Sequence, residues 1–527
     1  MADYRRPGVY IEEKLATSPF ESANATAVAC FIGVASKGEP FAAIRCDSWS
    51  DFVQKFGGFD LVPFDNAGTT GAVLSYLPYA VYSYFQNGGR GLYVVRVLPV
   101  AESARGDISE VDIAAVTTGN AFTIQANGAG EWGDNVDVVI EQQASVGTAP
   151  NSRLIFSIAV LVNGARVETF SNLSMGGIEG TRPVAAALND SIAGSRYITV
   201  TNQNSTLDPK TGQSHLDGGA DPALPASTDL ISSDATDAVT TIEGPVIAAF
   251  QPFIGANGSV IMPPVQAISG FTGERSDIIC LWDGDPASLL TSPKADVLSK
   301  AAQLGTSDSY SAIYTPWIVT PDPARAGGTI SVPPSGAVAG VMSRIDVTQG
   351  VWRTPAGAPA SITNALSTEL KYSETDQGEL NYNNVNVIRP LIGAGVCIMG
   401  GRSRKLWGVD RYIAPRRTLI FIKETLRRAT SFAVFENNDS HLWSALRQTA
   451  NSILNPIWEQ GGLKGTSANE AFFVRCDSSI NTPQVIQSGE VRMEIGVALQ
   501  YPAEFVVIRI SQYDSGSSFA VEGIVTG

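Results

Sequence analysis

Short apolar runs of strand length, separated by segments with helical periodicity, constrain the fold of this chain most strongly. TAVACFIGVA near the start, for example, is typical of a buried strand. Strand-like runs occupy 26–35, 91–100, 278–286 and 310–319, and helical segments occupy 48–59, 72–89 and 289–305. This alternation predicts an α/β fold with buried strands.

The stretch from 119 to 200 has a different character, because short strands alternate with Gly and Asn turns. Val-Asn-Gly-Ala at 162–165 is a hairpin signal within it. We interpret this stretch as a β-rich insert. Residues 211–274 then contain seven acids and no Lys or Arg, which predicts an exposed linker, with a partner-facing acidic surface as the alternative.

The last block returns to mixed strands and helices. Strands are predicted at 384–401 and 431–436, and a helix around Pro415 continues to 429. A second, amphipathic helix is predicted over 440–462, with Ser440 as its N-cap. Its apolar face carries Leu442, Leu446, Ile453 and Ile457.

Strand-like segments also lie near both ends of the chain. Val9 and Ile11 alternate with Tyr10 and Glu12, and AEFVVIRISQY at 503–513 has similar character. No turn signal near the first segment offers a hairpin partner. The residues alone therefore leave open what this strand pairs with.

The chain is acidic, with a formal net charge of −15 over 527 residues. Such a charge disfavours binding to nucleic acid or to anionic membranes. No run of 18 apolar residues occurs, so no membrane span is predicted. The five cysteines are scattered without a CxxC pair, and no signal-like segment begins the chain. We therefore expect no disulfide framework or zinc site, and synthesis in a reducing compartment.

Residues with catalytic potential are sparse. The two histidines, His215 and His441, lie in an acidic loop and at a helix start, away from any G-x-S-x-G sequence. In the glycine-rich stretch 395–403, Gly401 stands where a phosphate-binding loop needs lysine. The Asp-Gly-Asp turn at 283–285 lacks the rest of a calcium loop. We predict no catalytic residue, no metal site and no cofactor.

One segment departs from this acidic background. Residues 402–428 contain nine basic groups against two acids, so the segment carries about +7 and the rest of the chain about −22. We consider a solvated helix face, a docking surface for an acidic protein, and a nucleic-acid contact, which the overall charge disfavours. The basic residues are Arg402, Arg404, Lys405, Arg411, Arg416, Arg417, Lys423, Arg427 and Arg428, with Arg447 and Lys464 on and after the next helix.

Several stretches carry a family resemblance. The most specific is VPPSGAVAGVMSRIDVTQGVWRTPAGAP at 332–359. Others lie at 7–13, 130–140, 166–175, 432–465 and 501–511. Together they resemble the contractile tail sheath proteins of bacteriophages and related injection machines. MGGRSRKLWG at 399–408 and FENN at 435–438 depart from the family's pattern in loops near the basic segment.

The resemblance implies an α/β multidomain protein. A sheath core domain would be built from both chain ends, with a β-rich insert and a subtilisin-like α/β middle domain that has no protease role. The implied divisions are an N-terminal linking arm 1–25, a first core part 26–104, the insert 105–240, the middle domain 241–385, a tube-facing second core part 386–504 and a C-terminal linking arm 505–527.

The resemblance also implies a partner for the terminal strands. In this family the terminal arms are thought to add strands to neighbouring subunits, with backbone hydrogen bonds supplying affinity and alternating side chains supplying register. Arms that fold back on their own domain are the alternative. The residues expected to pair are Val9, Tyr10, Ile11, Val506, Ile508 and Ile510.

The implied function is structural rather than enzymatic. The chain would polymerise helically around a tail tube and contract to drive the tube through a host cell envelope. Expected partners are other copies in six-fold rings, the tail tube protein, and baseplate and tail terminator proteins, without nucleic acid, cofactor or direct membrane insertion. The eleven basic residues named above are the predicted tube contact.

The expected location is a virion tail, made and assembled in the cytoplasm of a bacterial host. Three alternatives stay open. The chain could serve a headless tailocin-type particle, form a filament that does not contract, or be a hydrolase with a subtilisin-like middle domain.

Overall fold

A computed structural model describes residues 28–66, 68–146, 153–176, 178–190, 193–201, 207–264 and 277–504. Both predicted linking arms lie outside the described residues, and so do Val9, Tyr10, Ile11, Val506, Ile508 and Ile510. Among the described helices, none combines the length and the hydropathy that crossing a membrane requires.

The first block has the predicted order of strand, helix, helix and strand, with an extra strand, β2, and an extra hairpin, β3–β4. The Ser48 side chain accepts a hydrogen bond from the Asp51 amide at the start of the first helix, and Gly57 ends it with φ 89°. The elements are β1 Val28–Gly33, β2 Ala43–Cys46, α1 Trp49–Phe56, β3 Val62–Asn66, β4 Thr69–Val73, α2 Leu77–Gln86 and β5 Leu92–Arg96.

The residues after β5 form a β-rich unit of two sheets with five and three strands. The strands are β6 Glu110–Ala114, β7 Asn120–Ala126, β8 Val136–Val146, β9 Arg153–Val162, β10 Ala165–Ser174, β11 Arg182–Pro183, β12 Ile198–Thr201 and β13 Gly212–His215, with helix α3 Val184–Leu188. The predicted hairpin joins β9 to β10, where Asn163 and Gly164 have φ 51° and 75°. Phe122 and Phe156 stack between the two sheets.

The chain returns to the α/β unit earlier than predicted. Leu230, Ala235 and Val239 are buried, so helix α4 replaces part of the expected exposed linker. The elements from there are α4 Ser233–Thr240, β14 Val246–Phe250, β15 Phe253–Ile254, β16 Val260–Ile261, β17 Ile278–Asp283, α5 Pro293–Gln303, β18 Ser311–Thr315, β19 Ile318–Pro321, β20 Thr329–Val332, α6 Ser335–Gln349, β21 Ser367–Thr368 and α7 Glu374–Tyr382.

The last block contains both predicted helices but not the predicted strand at 431–436. A single 3₁₀ turn, Ser431–Ala433, stands there, and the side chains of Val434 and Phe435 are exposed. The N-cap of the long helix is Asp439 rather than Ser440, because its carboxylate accepts the first free amides. The elements are β22 Val385–Leu391, β23 Gly395–Ile398, α8 Ile413–Ala429, α9 Ser440–Glu459, α10 Ala468–Ala471, β24 Phe472–Arg475, α11 Pro483–Gln487 and β25 Glu494–Val497.

One eight-stranded sheet organises the α/β unit, in the order β2–β5–β1–β14–β17–β18–β22–β23. Its inner strands are parallel, and the two outer strands, β2 and β23, are antiparallel to their neighbours. Phe31 packs on one face with α2 and α6, and Ile32 on the other face with α4 and α5. Both faces are therefore covered, which explains the apolar strand sequences.

This sheet crosses the domain divisions expected from the sequence. It contains strands from the predicted first core part, the predicted middle domain and the predicted second core part. Residue 385, the expected end of the middle domain, is the first residue of β22. After β23 the chain forms a smaller α/β unit, in which Phe421 of α8 and Leu454 of α9 share a core with Phe472 of β24.

Arg96 joins the β-rich unit to the main sheet. Its buried guanidinium donates to the carbonyl oxygens of Ala35 at 3.0 Å and Gly38 at 2.8 Å, and to Ala129 of the β-rich unit at 3.3 Å. Burial lowers the pKa of Arg96 to about 10. Gly128 permits this approach, since a Cβ atom there would lie 2.2 Å from the Gly38 oxygen.

Candidate interaction surface

Three of the predicted tube-contact residues lie inside the subunit. Arg402, Arg404 and Arg417 are only 3%, 2% and 3% exposed. Each donates to partners within the chain, so none presents its charge at the subunit surface. At these three positions the predicted tube-contact side chains are buried in the subunit, and the tube contact itself stays a prediction.

Arg417 forms an ion pair between two helices. Its Nη1 lies 2.8 Å from Asp346 Oδ1, and its Nη2 bonds the other carboxylate oxygen. The side chains are 3% and 1% exposed. The pair joins α8 to α6, the helix that packs against the main sheet. An arginine tolerates such burial when its charge is paired.

Arg404 closes the end of helix α5. Its Nη2 donates to the carbonyl oxygens of Ala301 at 2.7 Å and Gly305 at 3.2 Å, and its Nη1 donates to Asn383 at 2.6 Å. Ala301 lies in the last turn of α5, where carbonyl groups lack partners within the helix, and a cation also complements the helix dipole there. Burial lowers the pKa of Arg404 to about 10.

A second group of basic residues gathers around Asp410. Arg416 Nη2 lies 2.6 Å and Lys405 Nζ 3.3 Å from the same carboxylate oxygen, and the Arg416 guanidinium lies 4.5 Å from the ring centroid of Tyr310. Arg416 is held in place by both contacts. Its side chain is only 13% exposed, so it contributes little to an outer surface.

The exposed basic residues of the segment lie at the C-terminal half of α8. Lys423, Arg427 and Arg428 are exposed, and the last two share the carboxylate of Glu424 at 2.7–2.8 Å. Hydrogen bonding from Arg427 lowers the pKa of Glu424 and raises that of Arg427 itself. This α8 patch, residues 423, 424, 427 and 428, presents a net charge of about +2.

The remaining predicted contacts lie apart from the α8 patch in sequence. Arg411 is half-buried with its guanidinium 5.8 Å from the ring centroid of Trp407. Arg447 on α9 is half-buried and bonds Ser444 Oγ at 3.1 Å. Lys464 is exposed, and its backbone amide donates to the Ala498 oxygen at 2.8 Å.

Sequence reasoning missed the acidic partners of these arginines. Glu424 had a usable signal, because it precedes Arg427 and Arg428 by three and four residues on one helix. Asp346 and Glu504 had none, since they lie 71 and 102 residues from the arginines that they bind.

The two histidines lie at the surface, one in the β-rich unit and one in the C-terminal unit. Exposed His215 bonds the Asp137 carboxylate at 2.9 Å, and His441 is exposed in the first turn of α9. In the part of the chain that is described, no cluster of three His, Cys, Asp or Glu residues could hold a metal ion.

A buried carboxyl group and a buried hydroxyl meet at the carboxyl edge of the main sheet. Asp283, at the end of β17, accepts from the Ser335 amide and hydroxyl, both at 2.7 Å. Ser335 is fully buried and begins α6, so Asp283 satisfies the start of this helix. Burial raises the pKa of Asp283 to about 7, although its hydrogen bonds with Ser335 oppose the change.

Asp283 therefore makes folding less favourable as the pH rises. Between pH 4 and 7 the folded chain binds a proton here that the unfolded chain does not, so stability declines across this window, by about 4 kcal/mol at most. We expect the melting temperature of Asp283→Asn, measured from pH 5 to 8, to lack the decline that the parent chain shows. Asp296→Asn is the control, because hydrogen bonds from the Ser292 and Thr291 amides lower that pKa. Parallel curves of melting temperature against pH for Asp283→Asn and the parent chain would contradict the assignment of this decline to Asp283.

A small sheet in the C-terminal unit has two strands, and residues 463–464 pair with residues 498–499 just after the second strand. β24 and β25 pair with each other and form a two-stranded sheet in the described residues, with Phe473 half exposed. Strands of this kind offer unpaired backbone groups along their outer edges. Two-stranded sheets are also marginal alone, so a further strand would stabilise this one.

Comparison with known sequences places this architecture in a family. A model described as the phage tail sheath protein central domain matches residues 266–403, and one described as the phage tail sheath C-terminal domain matches residues 411–512. The two matches support a contractile tail sheath family for this chain. The first match contains the Asp283–Ser335 pair and the second contains the α8 patch.

Several solved structures share the fold. The anti-feeding prophage baseplate, six-fold symmetrised, has a chain 20% identical, with a TM-score of 0.55 over 96% of this chain and 99% of that one. The contracted PVC sheath complex of an extracellular contractile injection system matches at 21% identity and TM-score 0.51, over 97% and 99%. A sheath tail protein from Listeria innocua matches at 12% identity and TM-score 0.54, over 91% and 99%.

A curated relative is the tail sheath protein of Vibrio phage KVP40. It is 25% identical over 194 residues, which are 36% of this chain. The matched part spans about 28% of that relative's length.

Proposed function

We propose that this chain is the structural subunit of a contractile tail sheath. It polymerises helically around a tail tube and contracts to drive the tube through a host cell envelope. The match of two tail sheath family models to the central and C-terminal regions carries this proposal. The likeness in fold to the PVC sheath complex, over 97% of the chain, supports it.

Contraction draws its energy from subunit contacts rather than from nucleotide hydrolysis. Subunits assemble in an extended state held by baseplate and tube, and then rotate as rigid bodies into a lower-energy packing. The continuous sheet and the buried Arg417–Asp346 pair support rigid-body motion, because they tie the α/β unit and α8 together. The middle region adopts a subtilisin-like arrangement with a structural role.

The expected partners are further copies in six-fold rings, a tube protein, a baseplate and a tail terminator. The α8 patch, with Lys464 and Arg447, is the proposed tube contact, and it would meet an acidic surface. Charge contacts suit this role, since they align two surfaces and can part during movement. No nucleic acid, cofactor or membrane insertion enters the proposal.

The terminal arms are proposed to link subunits by strand addition. The two-stranded sheet of β24 and β25 is the proposed acceptor, because backbone groups at a sheet edge can pair with an incoming strand. The donated strands would be Val9–Ile11 of one neighbour and the segment around Ile508 of another.

The particle is either a phage tail or a headless injection particle, in both cases assembled in a bacterial cytoplasm. The KVP40 relative belongs to a phage and the PVC relative to an injection system. A filament that does not contract would show one helical lattice instead of two. A hydrolase would cleave a generic protease substrate.

Electron microscopy of the purified chain tests both the sheath and the arms. At high concentration we expect hollow ridged tubes from the full chain and monomers from a variant lacking residues 1–20, because the donated strand is gone. Tubes from both would keep the sheath but contradict strand donation by the N-terminal arm. Flat sheets or single filaments from the full chain, with the tube protein present, would contradict the sheath itself.

A further inference from the structure

The end of the described chain is attached through one carboxylate. Glu504 accepts from Arg402 Nε at 2.9 and 3.1 Å, from Arg402 Nη2, and from the Tyr412 hydroxyl at 3.3 Å. The Arg402 and Glu504 side chains are 4% and 17% exposed. A bidentate, charge-assisted contact that is largely shielded from water is among the stronger polar contacts in proteins.

Arg402 is itself fixed to the main sheet. Its amide donates to Asn386 Oδ1 on β22 at 2.8 Å, and its Nη1 donates to the Asn381 carbonyl on α7. The guanidinium therefore keeps its position when Glu504 is absent. It acts as a preformed receptor for one carboxylate.

The residues just before Glu504 have few other attachments. Gln500 donates to the Leu463 carbonyl at 3.1 Å, and the Tyr501 ring packs edge-on against Tyr412. Pro502 and Ala503 line a cleft of about 450 Å³ beside β22. Because the chain borders a cleft here instead of packing closely against the sheet, Glu504 carries much of the attachment.

We infer that Arg402 and Tyr412 anchor the chain at Glu504, and so fix the position on the subunit at which the proposed C-terminal linking arm begins. The inference deepens the proposed function and rests on it for the linking role of that segment. This contact keeps Glu504, where the linking arm begins, at one position on its own subunit while the subunits rotate. Tension on the link is then transmitted to β22 and α7 through Arg402.

Local opening of residues 496–504 in the full, unassembled chain tests the anchor. We expect Glu504→Gln to accelerate their hydrogen exchange and chymotryptic cleavage after Leu499 about tenfold, because the charged contact is lost. Tyr412→Phe removes one hydroxyl and should accelerate both about two- to threefold. Glu490→Gln is the matched control, since Glu490 forms an exposed pair with Arg492 in the same unit.

Acceleration confined to residues 496–504 in the Glu504→Gln variant, with the rest of the exchange pattern unchanged, supports the anchor. Rates equal to those of Glu490→Gln overturn it, as does acceleration spread equally over β22 and α7. Tube formation by the parent chain is scored separately. If the parent chain forms tubes but residues 496–504 open no faster in Glu504→Gln, the anchor alone is refuted. If those residues open faster in Glu504→Gln but the parent chain never forms a sheath, the proposed function alone is refuted.

Discussion

Replacing Asp346 with alanine should destabilise the subunit by about 3–5 kcal/mol, because it leaves the charge of Arg417 buried and unpaired. The pair is 3% and 1% exposed, so water cannot readily replace the lost carboxylate. Urea unfolding of Asp346→Ala and the parent chain measures the difference. Loss of the contact between α6 and α8 should also loosen the small C-terminal unit first.

The control replaces both charges by apolar residues of similar size, Asp346→Leu with Arg417→Met. Removing a buried pair as a whole is often neutral, so this double variant should recover most of the lost stability. A double variant as unstable as Asp346→Ala would show that the pair itself contributes the stability. A change below about 1 kcal/mol in Asp346→Ala would show that the site is open to water.

Reversing charge on the α8 patch, Lys423→Glu with Arg427→Glu, should reduce assembly on tube protein about tenfold or more. The two substitutions change the local charge by four and oppose docking to an acidic surface. Polymerisation without the tube should stay unchanged, since strand addition uses backbone groups. Co-sedimentation with purified tube protein and turbidity of the chain alone separate the two effects.

The matched control is Arg166→Glu with Lys210→Glu, which makes the same charge change on exposed positions of the β-rich unit. Assembly of the parent chain on the tube should also weaken between 0.1 and 0.5 M salt, because exposed charges are screened. Equal assembly by the α8 variant and the control would exclude the α8 patch as the tube contact.

Local elements were predictable because their signals lie within the segments themselves. Buried strands such as β1 and β17 are apolar throughout, and α9 carries Leu442 and Leu446 on one face. The sheet order was not predictable, since β1 pairs with β14 and aligns Val28 with Val246. Nothing in either strand alone specifies a partner so distant in sequence.

The basic segment shows why the interaction surface was only partly predictable. Helical spacing places Arg417 on the same face of α8 as Ala414, Thr418 and Phe421, which are buried with it. That position favoured burial of Arg417. The carboxylate that pairs with the buried charge, Asp346, comes from α6, and the segment itself gave no signal for it. Lys423 and Arg427, by contrast, are exposed on the same helix.

The whole β-rich unit sits in one connection, between the end of β5 and α4. Without it, β5, α4 and β14 would still form an ordinary crossover over β1. This outer module can therefore vary in length, or carry a grafted epitope at the Asn163–Gly164 turn, while the central sheet keeps its topology. A natural or engineered chain that loses the module would need a smaller, uncharged residue in place of Arg96, whose guanidinium would lose its Ala129 acceptor.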